Sequence, residues 1–249
     1  RGTTRICGFD AETIKVRQRD LVEELIGRLP FTSYLYLQAT GRMPTQAETV
    51  VVDAVMVTIM EHGLVPSAIV TRLTHYGAPE SFQGAVAAGL LGVGDRYAGT
   101  AGECGAILER IVAAEKSDRY EAALAEVHQY RAIRRPVPGF GHPIHTAHDP
   151  RVPRLTEVAG AAGTAGDFID AMNLLEKALR EVTGKELVTN ISAAIAAVLG
   201  EAGIPATLMR GIVLTARCAG LVGHLHEEMQ TPAAPAMWQG AQDAVDYEP

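Results

Sequence analysis

Three groups of residues in this chain could do chemistry: His62, which closes an apolar helix before Gly63; His142, His145 and His148 in a proline-rich stretch; and the arginines Arg131, Arg134 and Arg135. An imidazole can pass a proton near neutral pH or donate to an oxygen on which charge develops. A guanidinium presents a planar fork that suits carboxylates and phosphates. Each has a plainer reading: His62 as a helix-end histidine favoured by the dipole, the arginines as a solvated basic helix end. The three histidines share a three-residue spacing, yet only Asp149 stands near to complete a ligand set and Pro143 interrupts any regular helix. Loop histidines are the simpler reading, and no metal is expected. Cys7, Cys104 and Cys218 are odd in number, far apart and without a C-x-x-C pair, which argues against a disulfide framework or zinc cluster and fits a reducing, cytoplasmic compartment. The run from Gly92 to Tyr97 begins like a dinucleotide fingerprint but lacks the third glycine and a preceding strand. No G-x-x-x-x-G-K-[ST] loop cradles phosphates either.

Helices must position these groups. The 249 residues, 26.5 kDa, are 47% hydrophobic and 20% charged, enough for one large core or two lobes sharing one. Helical periodicity predicts segments over 16–29, 31–40, 45–61, 67–75, 81–93, 101–114, 117–130, 167–182, 190–201 and 205–226. The third has Thr45 as N-cap with Glu48 three residues on, a capping box. Breakers stand between them at Gly41 to Pro44, Gly77 to Pro79, Gly184 and Gly203 to Pro205. Period-two strands are not expected, so the fold class is all-α. Ala and Gly dominate 85–105 and 193–203; small residues allow close helix approach, in a buried layer or across a two-fold interface formed by 85–91 and 101–108. Residues 136–153 hold five prolines, two glycines and three histidines, and a structureless stretch of that length is usually functional. Residues 231–249 lack a repeated apolar face and read as an arm on the body or on another subunit.

With 22 basic and 29 acidic side chains the net charge is -7, and no basic stripe marks a nucleic-acid partner. The uncharged run 84–94 is too short to span a bilayer and no secretory signal opens the chain, so no membrane partner is expected. Arg1 in place of an initiator Met leaves the natural N-terminus open.

Taken in order, Glu61-His62-Gly63, Gly94-Asp95-Arg96-Tyr97-Ala98-Gly99, Pro138-Gly139-Phe140-Gly141-His142 with Asp149-Pro150-Arg151, Asn190-Ile191-Ser192 and Ala216-Arg217-Cys218-Ala219-Gly220 resemble the citrate synthase superfamily. The segment from Leu29-Pro30-Phe31 to Gly41-Arg42-Met43-Pro44 is similar too. The short length, the G-D-R-Y-x-G element and the run Gly220 to His224 look most like the citryl-CoA lyase branch and the matching domain of ATP-citrate lyase. The resemblance implies a citrate-synthase-like fold with a large domain beginning in 1–130, a small domain 131–220 carrying the loop 136–153, and a return to the large domain with a C-terminal arm in 221–249. It implies a homodimer or larger homo-oligomer whose cleft takes a CoA thioester as substrate together with an oxo acid, with no permanently bound cofactor. In family terms His62 and His142 contact the oxo acid's oxygens, Arg151 and Arg217 clamp carboxylates with Tyr97 also in the substrate site, and Arg131, Arg134, Arg135, Gly139 and Gly141 hold CoA.

Departures from the family pattern bear on the reaction. Its catalytic base is an aspartate in N-V-D, and here Ser192 stands in that place; an alcohol is a very weak base unaided. Pro143 follows His142 where Arg or Ala is usual, and no arginine follows Arg217. Fewer positive charges imply a substrate less carboxylated than citrate. The leading expectation is a lyase or synthase (transferase) of that kind, with another base in place of the aspartate. The alternatives are a CoA-thioester hydrolase or decarboxylase on the same fold, or a non-catalytic CoA-binding subunit.

Overall fold

The computed structural model describes residues 2–141, 149–164 and 166–248, except the side chains of Arg96 and Tyr97. In these residues a small N-terminal sheet, β1 (Cys7–Phe9), β2 (Ile14–Val16) and β3 (Arg19–Asp20), precedes α1 (Phe31–Thr40), α2 (Gln46–Met60), α3 (Pro66–Gly77), α4 (Phe82–Leu91), α5 (Thr100–Ala113), α6 (Arg119–Ala132), α7 (Arg151–Ala162), α8 (Asp167–Thr183), α9 (Ile191–Glu201), α10 (Ala206–Gln230) and α11 (Ala234–Ala244). Local chemistry sets the ends. Gly41 stops α1 in the left-handed conformation. Thr45 and Glu48 form the expected capping box on α2, worth about 1 kcal/mol.

The core is built around α9, which is buried from Ile191 to Gly200 except at Ser192 and packs against α5, α8, α7 and α2. Its alanines let neighbours close in, and a Cβ on Gly200 would lie 2.3 Å from the Phe168 ring of α8. One hydrophobic cluster runs from Tyr36 on α1 through α2, α5, α6, α8 and α9 to Ala216 on α10. The small residues of α5 serve this chain's own packing: a Cβ on Gly105 would lie 2.4 Å from Met209 Sδ of α10, and Ala101 and Cys104 are buried. On α4, Gly89 is pressed against Thr71 of α3 and Leu221 of α10. Gly89, Ala101, Cys104 and Gly105 thus pack within the chain, while Ala87 and Leu91 of the same stretches stay exposed.

Two expectations give way. The helix over 16–29 is instead β2, β3 and a short helical turn, Leu21–Leu25. Arg17 and Gln18 join β2 to β3 with φ of 48° and 70°, a two-residue hairpin turn that Arg17 braces by donating from Nε and Nη2 to the Gln38 carbonyl. Asp20 then caps the helical turn through the Val22 and Glu23 amides. The proline-rich stretch 136–153 ends in α7, because Pro150 and Pro153 fall at its N-cap and first turn, where a missing N–H is harmless. The C-terminal arm packs on the body, one of its two expected placements, through α11, which lies on α3 and brings Trp238 to Tyr76. Among the described helices α10 alone is long and apolar enough to cross a membrane, with mean hydropathy 1.2; it packs against α2, α5, α3 and α4 and carries Arg210 and Arg217.

Candidate active site

The N-terminus of α9 gathers one half of the site. Asn190 caps the helix by accepting from the Ser192 amide, donates its own amide to the Gly139 carbonyl, and donates from Nδ2 to the Gly141 carbonyl. The Gly141 amide donates to the Val188 carbonyl at 2.7 Å, and Phe140 bridges to Thr189. Gly139 (φ +92°) needs its lack of a side chain twice over, since a Cβ there would lie 2.8 Å from Ala193 Cβ and 3.0 Å from Cys104 Sγ. Residues 139–141 are thus stitched to the helix that carries Ser192. Cys104 beneath them is no nucleophile, because burial pushes its thiol up to about 12.

Asp149 completes this half from the other side of the undescribed segment. Its buried carboxylate accepts from the Ile191 amide at 3.1 Å and takes a two-point grip on Arg151, from Nε at 3.0 Å and Nη2 at 2.8 Å. Burial works to raise the Asp149 carboxyl, but Arg151 and the two backbone amides outweigh it and hold it below the usual aspartate value. It is a poor base. A cavity of about 500 Å³ lies beside it, lined by Val152, Leu179, Arg180, Leu187 and Thr189, and the Thr189 hydroxyl is buried without a hydrogen-bond partner among the described residues.

The second half stands where α2 ends against α10. A Cβ on Gly220 would lie 2.1 Å from the Met60 carbonyl, so the two backbones touch. The chain then turns through Glu61, His62 and Gly63, with Glu61 Oε1 accepting from the amides of His62 (2.9 Å) and Gly63 (2.7 Å). His62 is exposed. One turn before Gly220, Arg217 projects half-buried from α10, and no described residue hydrogen-bonds its guanidinium. Burial lowers its proton affinity, Glu61 opposes that and Arg151 adds to it, which places the three charges within range of one another. A desolvated guanidinium without a hydrogen-bond partner receives anions.

The structure thus brings His62, Arg151, Ser192, Arg217, Gly139 and Gly141 to adjoining elements. His142 lies outside the described residues, as do His145 and His148, and for Tyr97 only the backbone of the turn Asp95–Gly99 is described. Among the described residues no cluster could hold a metal. The arginine group divides: Arg131 donates to the Val182 carbonyl at the end of α8, Arg135 makes a long 3.5 Å contact with Glu103, and Arg134 sits in a left-handed turn at φ 55°. All three are exposed. The sequence offered Glu61 and Asn190 only as parts of motifs, and Asp149 besides only as a possible metal ligand. Their pattern as acceptors flanking His62, Arg151 and Ser192 was the available signal.

The family model for the citrate synthase C-terminal domain matches residues 11–235. No curated protein matches the chain. Among solved structures, the citryl-CoA lyase of Hydrogenobacter thermophilus is 28% identical with a TM-score of 0.88, covering 100% of this chain and 94% of that one. The ATP citrate lyase of Methanothrix soehngenii, solved with citrate and coenzyme A, shares the fold at 17% identity and a TM-score of 0.78; this chain is fully covered but spans 42% of that protein. The citrate synthase of Thermotoga maritima shares it at 19% identity and 0.64, covering 83% of this chain and 55% of its own. With the family's domain matched over most of its length, on an all-helical core that carries the site at the end of α9, this chain belongs to the citrate synthase family and is an enzyme of that type.

Proposed function

We propose that the protein is a CoA-thioester lyase or synthase that breaks or forms the carbon–carbon bond between an acyl-CoA and an oxo acid carrying fewer carboxylates than citrate demands. The observation that carries this reading is Arg217: half-buried, without a hydrogen-bond partner among the described residues, and within electrostatic range of Glu61 in the His62 turn. Arg151 spends Nε and Nη2 on Asp149, which leaves only its remaining nitrogen for a ligand. That supply of positive charge suits one carboxylate better than several.

In the cleavage direction the 3-hydroxyl of the substrate loses its proton, the carbon–carbon bond pair moves into the thioester as an enolate, and the α-carbon takes up a proton as the oxo acid leaves. His62 and His142 polarise the oxygen that becomes the ketone. Arg151 and Arg217 orient the carboxylate, with Tyr97 in the same subsite. Ser192 stands where the reaction calls for a carboxylate, so another group handles the α-proton. The CoA moiety lies against Gly139 and Gly141, with its phosphates at Arg134 and Arg135 and, once released from Val182, Arg131. The reading includes a cleft between residues 131–220 and the rest, a homo-oligomeric assembly and a cytoplasmic setting.

Incubation with citryl-CoA, malyl-CoA and 3-hydroxy-3-methylglutaryl-CoA, followed by mass analysis, tests it. Equal amounts of acetyl-CoA and an oxo acid from a less carboxylated thioester are expected. Release of free CoA thiol would indicate hydrolysis, release of carbon dioxide a decarboxylase, and CoA binding without turnover a non-catalytic subunit; each would overturn the proposal.

A further inference from the structure

Beneath the His62 turn lies a chain of polar groups that the chemistry above does not use. Arg72 on α3 is only 3% exposed at its side chain, and its Nη1 donates to Glu228 Oε2 at 2.8 Å, itself 2% exposed. Glu228 also accepts from the amides of Ala233 and Ala234, so this buried pair is fully bonded and fixes the guanidinium. Nη2 also pairs with Glu227. The other edge of Arg72 faces the His224 ring: Nε and Nη2 lie 3.0 and 2.9 Å from Nδ1. Arginine has donors only, so Nδ1 must accept and the ring proton is placed on Nε2. That nitrogen donates to Glu61 Oε1 at 3.0 Å.

Glu61 Oε1 therefore collects three N–H groups: the His224 ring, the His62 amide and the Gly63 amide. Burial works to raise its carboxyl, but these bonds outweigh it and keep it below the ordinary glutamate value, so it stays an acceptor. Glu61 is half-exposed, at 53%, and a surface carboxylate on a flexible stem would otherwise sample several rotamers. We propose that His224 is a positioning residue of the site: oriented by Arg72, it pins the Glu61 carboxylate that holds the His62–Gly63 turn. The contact of Gly220 with Met60 sets the distance, because His224 lies one helical turn further along α10. His62 is thereby tied to the same helix that carries Arg217, and the two ligand-facing groups move as one unit. The inference rests on the lyase or synthase reading for what His62 does, and not for how it is held.

The test separates the two. Amide hydrogen exchange at His62 and Gly63, read by NMR, needs no substrate. It is compared in the wild type, His224→Ala, His224→Gln, which keeps a donor at the position of Nε2, and Glu61→Ala, which removes a half-exposed side chain. Protection of both amides should fall about tenfold or more in His224→Ala and Glu61→Ala and be largely restored in His224→Gln. With malyl-CoA as probe, kcat should fall by about 10- to 100-fold in His224→Ala with KM little changed, and recover in His224→Gln. If His224→Ala does not fold, Glu61→Ala and His224→Gln decide the matter. Unchanged protection in Glu61→Ala, or equal loss in His224→Gln and His224→Ala, would overturn the proposal. Failure of the wild type to turn over any thioester would overturn the lyase reading and leave the exchange result standing.

Discussion

The two halves of the site are built on opposite principles. At the end of α9 the groups that position the backbone are occupied by the fold: Asn190 ties down Gly139 and Gly141, and Asp149 ties Arg151 to the Ile191 amide, while the Thr189 hydroxyl beside them has no partner among the described residues. At the meeting of α2 and α10 one half-exposed carboxylate, Glu61, accepts from both the His62 and Gly63 amides, while Arg217 is half-buried with no described hydrogen-bond partner. The first half resembles a frame, in which polar groups stabilise the protein. The second resembles a receptor, in which a desolvated cation detracts from stability until an anion arrives. A site that must place a carbon–carbon bond within a few tenths of an ångström needs both, since precision comes from satisfied groups and binding energy from unsatisfied ones.

Substitutions should separate the halves. Arg217→Ala should have the largest effect on activity, a loss of about a thousandfold in kcat/KM, or roughly 4 kcal/mol, with the melting temperature unchanged or raised. A stability loss without an activity loss would place Arg217 in the frame. His142→Ala should lower kcat by about a hundredfold with little loss of CoA affinity, as expected for a donor to a developing oxyanion, measured by steady-state kinetics and calorimetry. Loss in binding alone would make it a ligand-holding residue.

Asp149→Asn should act chiefly on stability, by about 2 kcal/mol at pH 7 in urea titrations, because it removes the charge opposite Arg151 and turns one of the two accepting oxygens into a donor. The sign with pH follows from its lowered folded value. The stabilisation is fully present above the unfolded aspartate pKa of about 3.9 and is lost as pH falls through the lower folded value, so wild type and variant should converge only in strong acid. A constant difference down to pH 2 would contradict the assignment. The smallest effect belongs to the arginines after α6. Arg134→Ala with Arg135→Ala should weaken CoA binding about tenfold and flatten its dependence on salt. Unchanged affinity would return these residues to the solvated surface.

What the sequence made legible were the features written in adjacent residues. Thr45 and Glu48 announce the start of α2, and the glycines and prolines between helices mark their ends. Features that depend on tertiary context were not legible. Strands of three residues or fewer are too short to show alternation, and the turn at Arg17 and Gln18 uses residue types that rarely take positive φ, rescued here by a carbonyl on α1. Helix α7 was hidden because prolines in a first turn look like loop prolines in a string. Small residues on α4 and α5 declare close packing and not against what; Met209, Thr71 and Leu221 supply the answer from α10 and α3. In the site, the order of the motifs pointed to the right elements, while the link from His224 to Glu61 spans 163 positions and has no local signature.

Ser192 also acquires a physical context. It is the second residue of α9, where a carboxylate would be stabilised by the helix N-terminus, so Ser192→Asp should raise α-proton exchange only modestly against the gain expected from desolvation alone. Cleavage in heavy water is the more direct measurement. If the enzyme breaks the carbon–carbon bond of malyl-CoA or a similar thioester through an enolate, the acetyl-CoA formed should carry one deuterium on its α-carbon, appear in step with the oxo acid, and be abolished in Arg217→Ala. Acetyl-CoA without deuterium, or free CoA thiol in place of the oxo acid, would contradict the account.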